Sequence, residues 1–180
     1  MTPISDGLVC EGGRAKSYET AIMWLTDCGL LHKVSRITKP YLPLKAYEDL
    51  KAFKLFLLDV GLLFCMAGLS KKILLDGSDI FTEFKGALTE QYVLQQLKCD
   101  SNITLCYYTN ERNSSEIDFL IDNGEEVIPV EVKAEKNLSA KSLKTYREKY
   151  EPPHSIRISM ADYRQEKGLE NIPLYAVELL

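Results

Sequence analysis

The chain has 180 residues, 46% hydrophobic and 27% charged, with a formal net charge of −4. This is the composition of a globular protein with one medium domain or two small ones, and it argues against a surface coated with positive charge for nucleic acid. No segment approaches the roughly 18 uncharged apolar residues of a membrane span, and MTPISDGLVCEGG lacks the basic start and apolar run of a secretory signal.

Five cysteines (Cys10, Cys28, Cys65, Cys99 and Cys106) are scattered and form no CxxC pair. They support neither a zinc site nor a disulfide framework, and are expected to be small core residues in a reducing cytoplasm. Charge is uneven. Between Arg14 and Lys54 eight bases stand against four acids, a local +4, which reads either as an exposed basic face or as chance clustering on a solvated surface.

In chain order, Tyr18, Ala21, Ile22 and Leu25 recur at helical spacing over residues 17–28, and Gly29 fits the stop. LLHKVSRI alternates as a strand, and the stretch with Pro40 and Pro43 is a loop. FKLFLLD, 53–59, reads as a short buried strand leading into an apolar helix, VGLLFCMAG. Helix, strand, loop, strand suggests a winged-helix-like module. Past SKKILLDGSD an amphipathic helix spans about 79–98, with Phe81, Phe84, Leu88, Tyr92 and Leu97 near one face. A strand at about 102–109, a hairpin at 115–135, a helix through SAKSLKTYREKY, a strand HSIRISM and a closing segment IPLYAVELL complete an α/β order.

The hairpin, SEIDFLIDNGEEVIPVEVKAE, carries the chemistry. A two-residue turn on Asn123-Gly124 predicts pairs whose numbers sum to 247. Ile117, Phe119, Ile121, Ile128, Val130 and Val132 then form one apolar, buried face. The other face sets Glu116 opposite Glu131, with Asp118 diagonal and Lys133 about 6–7 Å further along the strand. Opposed carboxylates repel and are tolerated when a cation lies between them. Mg²⁺ takes oxygen ligands, often one or two carboxylates, and an ammonium beside it can stabilise developing negative charge. An isolated ExK pair is most often a casual ion pair on an exposed strand; the preceding acid strand, the short turn and the apolar opposite face weigh against that reading.

Asp118, twelve residues, then Glu131-Val132-Lys133 resembles the motif of the PD-(D/E)XK nuclease superfamily. Ile117 stands where that motif has proline, a departure from it. The resemblance implies a restriction-endonuclease-like α/β fold, a mixed sheet flanked by helices. It implies catalytic Asp118, Glu131 and Lys133, with Glu90 of the preceding helix added. Asp118, Glu131 and Glu90 would hold Mg²⁺ or Mn²⁺, and Glu116 would be an auxiliary acid. More widely, WLTDCGLLHKV, FKLFLLDVGLL, LTEQYVLQQL, YYTNERNSSEIDFLI, IPVEVKAE and IPLY occur in this order in domain-of-unknown-function family 4143, and the chain is identified as a member. The family is the C-terminal domain of bacterial and archaeal AAA-type ATPases, so an upstream ATPase domain is the implied partner. EGGRAKS, 11–17, has Ala15 where a phosphate-binding loop has glycine and no strand before it. The chain is therefore expected to be a fragment without the ATPase half.

Other candidates are weaker. His32 and His154 have no partnered Ser or Cys, so a hydrolase triad is unsupported, and His32 reads as a surface residue. Trp24 and the ten tyrosines read as core packing more than base stacking, although Tyr107-Tyr108 could line a cleft. Lys141, Lys144, Arg147 and Lys149 follow the hairpin on a helix, either as a solvated face or as phosphate contacts.

The resulting expectation is a winged-helix-like remnant over 1–70 and a PD-(D/E)XK nuclease-like domain over 71–180, cytoplasmic and without a membrane anchor. Its expected work is metal-dependent cleavage or processing of nucleic acid, DNA first, with Lys33, Arg36, Lys39, Lys141 and Lys144 as contacts. The alternative is a non-catalytic DNA-binding or protein-docking module with a retained nuclease fold. A third is an oligomerisation domain in which the hairpin charges are incidental.

Overall fold

Period-two segments from both ends of the chain find places in a single sheet. The computed structural model describes residues 15–69, 79–99, 101–110, 115–136 and 139–180. Cys10, the EGGRAKS segment through Arg14, the SKKILLD stretch and the side chain of Phe81 lie outside the described residues. The elements are α1 (Ala15–Asp27), β1 (Leu31–Ile37), β2 (Glu48–Leu57), α2 (Val60–Met66), α3 (Asp79–Leu97), β3 (Thr104–Thr109), β4 (Glu116–Asp122) and β5 (Val127–Val132). Then follow α4 (Lys141–Tyr150), β6 (Ile156–Ser159), β7 (Arg164–Glu166) and β8 (Leu169–Pro173). Short 3₁₀ turns occupy Leu44–Tyr47 and Leu174–Leu179. Gly29, at φ 77°, ends α1 as its position suggests, and the Asp59 carboxylate caps α2 by accepting from Leu62 N at 2.8 Å.

The fold is mixed α/β. Its eight strands run β2-β1-β3-β4-β5-β6-β8-β7. β1 pairs antiparallel with β2 and parallel with β3, so the two strands within residues 1–70 are continuous with the strands that follow. β3, β4 and β5 are antiparallel neighbours, and β5, β6 and β8 run parallel. The parallel joins are crossovers, β1 to β3 past α3 and β5 to β6 through α4, the usual device for parallel pairing. Val93, Leu94 and Leu97 of α3 pack with Val34, Phe56, Phe119, Val130 and Ile158 in one core. Leu143 and Tyr146 of α4 pack with Ile37, Leu44, Ile117 and Leu120 in another. Each fully buried side chain of this size stabilises by about 1.5–3 kcal/mol.

Several expectations are corrected. Phe84 is 37% exposed, and the buried stripe of α3 is Leu88, Val93, Leu94 and Leu97. Trp24 is 64% exposed and no core residue. Cys28, Cys65 and Cys99 are exposed, and of the described cysteines Cys106 alone is buried; burial pushes its thiol up to about 12.

The hairpin register also differs. Phe119 faces Val130 and Ile121 faces Ile128, so paired numbers sum to 249 and the connection is four residues long. The cause is side-chain capture. Asn123 Oδ1 accepts from Glu125 N and Glu126 N, both at 3.0 Å, and Asp122 Oδ1 accepts from Gly124 N at 2.9 Å. These Asx bonds hold a wider loop than the two-residue turn, and Gly124 supplies its positive φ of 88°. A slip of two in the sum keeps the residues from Phe119 to Val132 on their faces, but Ile117, expected beside Phe119, joins the core under α4 instead. Asp122 Oδ2 also accepts from Leu44 N at 3.0 Å, which ties the proline loop to the end of β4.

Candidate functional site

A bulge aims the first acid. Cys106 pairs with Leu120 and Tyr108 with Ile117, so two residues of β4, Asp118 and Phe119, stand opposite the single Tyr107. The alternation of β4 inverts there. Ile117 joins the core under α4, whereas Phe119 joins the core under α3. Bulges re-aim side chains and end pairing, and here both occur: Asp118 Oδ2 accepts from Val132 N at 2.7 Å, taking a ladder donor for its own carboxylate.

Around Asp118 the chain gathers the other predicted acids. Glu131, on β5, is 5% exposed and its Oε1 lies 2.6 Å from Lys133 Nζ. Its Oε2 is buried and accepts no hydrogen bond from the described residues. Lys133 is fixed through its backbone N, which donates to Ile158 O at 2.8 Å. Glu90 projects from α3, whose position is set by two glutamines. Gln91 is fully buried and acts as a strand mimic, donating to Leu57 O at 2.7 Å and accepting from Leu57 N at 2.9 Å. Gln95 accepts from Val60 N at 3.0 Å. Sequence reading took LTEQYVLQQL for an amphipathic face and missed this docking function.

It also missed Lys54. Counted among the exposed bases of the first third, Lys54 is 3% exposed. Its Nζ lies 2.5 Å from Glu116 Oε1, 3.7 Å from Glu90 Oε2 and 5.1 Å from the Tyr107 ring centroid. The available signal was parity: Lys54 shares its strand face with the core residue Phe56, two positions on. Burial, the largest influence, opposes its charge, but the pull of Glu90, Glu116 and Asp118 wins and raises its pKa.

The electrostatics tie these groups together. Burial, then repulsion from Glu90 and Glu131, pushes the Asp118 carboxyl up to about 8. Burial likewise raises Glu131, with Glu90 and Glu116 adding and the Lys133 ammonium opposing. Four carboxylates (Glu90, Glu116, Asp118 and Glu131) thus share a partly buried neighbourhood with two ammonium groups, Lys54 and Lys133. All-oxygen donors suit a hard divalent cation such as Mg²⁺ or Mn²⁺. Among the described residues, no group of three or more His, Cys, Asp or Glu stands in metal-holding positions. In this arrangement the cations inside the cluster are the two lysines.

The predicted nucleic-acid contacts are distributed differently. Lys33 lies over the Phe53 ring, 4.7 Å from its centroid, and Arg36 is held by Asp49 at 2.5 Å. Lys39 is exposed and lines a groove with Arg36 and Lys149. Lys141 and Lys144 are exposed on α4 outside that lining, and Lys144 lies 3.9 Å from Glu148. With Lys54 buried and Arg36 paired, the +4 stretch is less of an exposed basic face than its count implies. His32 is half-buried and, through burial and then Lys98, titrates below its ordinary value. Tyr107 and Tyr108 are both buried, and the Tyr108 hydroxyl meets that of Tyr150 at 2.8 Å. Among the described residues no helix is long and apolar enough to cross a membrane.

Comparison with known proteins gives two family matches, both to domains without an assigned function. Residues 3–73 match the family described as Domain of unknown function (DUF8612), and residues 85–177 match a second such family. No curated protein and no solved structure matches the chain. The second match takes in 93 of the 180 residues, and the chain accordingly belongs to the family described as Domain of unknown function (DUF4143).

Proposed function

We propose that the chain is a PD-(D/E)XK nuclease-like module that binds Mg²⁺ or Mn²⁺ and cleaves or processes nucleic acid, in the service of an AAA-type ATPase. In this reading α1, β1 and β2 are the winged-helix-like remnant, joined to the nuclease-like sheet through β3. The observation that carries the proposal is the crowding of Asp118, Glu131 and Glu90 around a bulged strand, with Asp118 driven up to about 8 by burial and by its acid neighbours. Structural strands rarely gather like charges at such cost, and perturbed carboxylates concentrate at functional sites. The buried, unbonded Glu131 Oε2 is an oxygen donor suited to a cation.

Asp118, Glu131 and Glu90 would have to draw together from their present positions to hold the ion, which when bound supplies Lewis acidity and a more acidic water. The rest falls to the chain. Lys133, against Glu131 at 2.6 Å, sets the orientation of that carboxylate and offers an ammonium to charge developing on a phosphate. Lys54 holds Glu90 and Glu116 together and keeps Glu90 turned toward the sheet.

The test is thermal unfolding with and without Mn²⁺, beside cleavage assays on DNA and RNA. Wild type should gain stability with Mn²⁺ through binding to the native state. Glu131→Gln should lose that gain, and Lys133→Ala should keep it while losing cleavage. No gain and no cleavage in wild type would defeat the proposal. The second reading, a non-catalytic binding module on a nuclease-like fold, then takes its place. One observation favours it: Lys54 and Lys133 already neutralise three of the acids by direct ion pairs.

A further inference from the structure

Beside the carboxylate cluster the geometry points to a groove that binds an unpaired nucleic-acid strand. This inference rests on the proposed function and names its substrate class. The groove has a volume of about 680 Å³, and among the described residues its lining carries three cations, Arg36, Lys39 and Lys149, and no acid. Three tyrosines, Tyr41, Tyr108 and Tyr150, share it. Thr109, also in the lining, pairs with Glu116 at the start of β4. The groove therefore ends one backbone pair away from Glu116, an acid of the cluster.

The tyrosines decide which nucleic acid fits. Tyr41 is 54% exposed. It is braced edge-on by Tyr150, with centroids 6.4 Å apart at 85°, and by Tyr47, at 6.1 Å and 70°. Two near-perpendicular ring contacts hold Tyr41 while more than half of its surface stays open to solvent. Behind it Tyr150 is anchored by the 2.8 Å hydroxyl bond to Tyr108 and by Tyr146, whose ring lies 4.8 Å away. An exposed, prebraced aromatic face is a platform for a base, and only an unpaired strand has a base face to offer. Lysines and an arginine around it meet the phosphates. Arg36, held by Asp49, keeps further N–H groups of its guanidinium for an acceptor.

The experiment is fluorescence anisotropy on the full chain with labelled oligothymidine, oligouridine and a duplex of equal length, in EDTA so that nothing is cleaved. A single strand, DNA or RNA, should bind more tightly than the duplex. Tyr41→Ala should weaken single-strand binding about ten-fold, the effect of losing one base–aromatic stack, while Tyr41→Phe binds as wild type. Lys39→Ala should lower the slope of log affinity against log salt by about 0.7. Equal or tighter duplex binding, or single-strand binding indifferent to Tyr41→Ala, overturns the groove. The two readings separate cleanly: a chain without a Mn²⁺ response that still prefers single strands keeps the groove, and a chain that cleaves without that preference loses the groove alone.

Discussion

Replacing Asp118 with asparagine removes a charge that the fold resists, and the consequence can be sized. The folded carboxyl titrates at about 8 against an ordinary 3.8, so at neutral pH folding takes up a proton. The cost is about 1.4 kcal/mol for each pH unit above the ordinary value, which sets a ceiling of about 4 kcal/mol at pH 7. Asp118 is partly exposed, so water screens part of the repulsion. Asparagine keeps an oxygen for the Val132 N–H. We expect Asp118→Asn to stabilise the metal-free chain by about 1–2 kcal/mol, raising Tm by about 3–6 °C at this chain length. The sign follows from the raised pKa. Below about pH 4 both states are protonated and the variant gains nothing; the wild type loses stability as pH rises from about 4 to 8, and the gap is constant above that. Thermal unfolding in EDTA across this range measures it. A variant no more stable than wild type at pH 8, or a gain that does not vary with pH, would refute the electrostatic account of this cluster.

Four other outcomes follow. Lys54→Met, which strands Glu90 and Glu116 without their ammonium, should cost about 3 kcal/mol in urea unfolding, and adding Glu116→Gln should recover part of it. Asp122→Ala leaves Leu44 N and Gly124 N without their acceptor and should cost about 2 kcal/mol by the same measurement. Tyr150→Phe removes the bond to the Tyr108 hydroxyl and should cost about 1 kcal/mol. Gly124→Ala meets no clash but must hold φ at 88°, so it should lower stability by about 1 kcal/mol through backbone strain alone.

Most of the hairpin's apolar face was legible because strand alternation does not depend on the loop: Phe119, Ile121 and Val130 are core residues and Ile128 packs against them under either register, while Ile117 falls beyond the bulge in the other core. Its loop length was not, because the Asn123 and Asp122 side chains compete with the two-residue turn for the same backbone donors. Asp118, Glu131 and Lys133 could be named from their spacing, and Glu90 only through the family resemblance. The bulge that turns Asp118 could not, since it is a property of how β3 fits β4. Lys54 escaped for a related reason. A charged residue in a strand reads as exposed until its partners are known, and Glu90 and Glu116 come from 36 and 62 residues further along. The pairing of β1 with β3 is equally distant, so nothing local announced that the first strands and the later ones form one sheet.

The family boundaries and the ion pairs divide this chain in different ways. Lys54 belongs to the segment matched over 3–73, while Glu90 and Glu116 belong to the segment matched over 85–177. Gln91 binds both backbone groups of Leu57 across the same boundary. Each segment therefore holds groups whose counterparts the other must supply, and neither could be inherited or exchanged by recombination without leaving buried charge and an open strand end behind. Selection on this cluster would act on the two segments as one unit of descent.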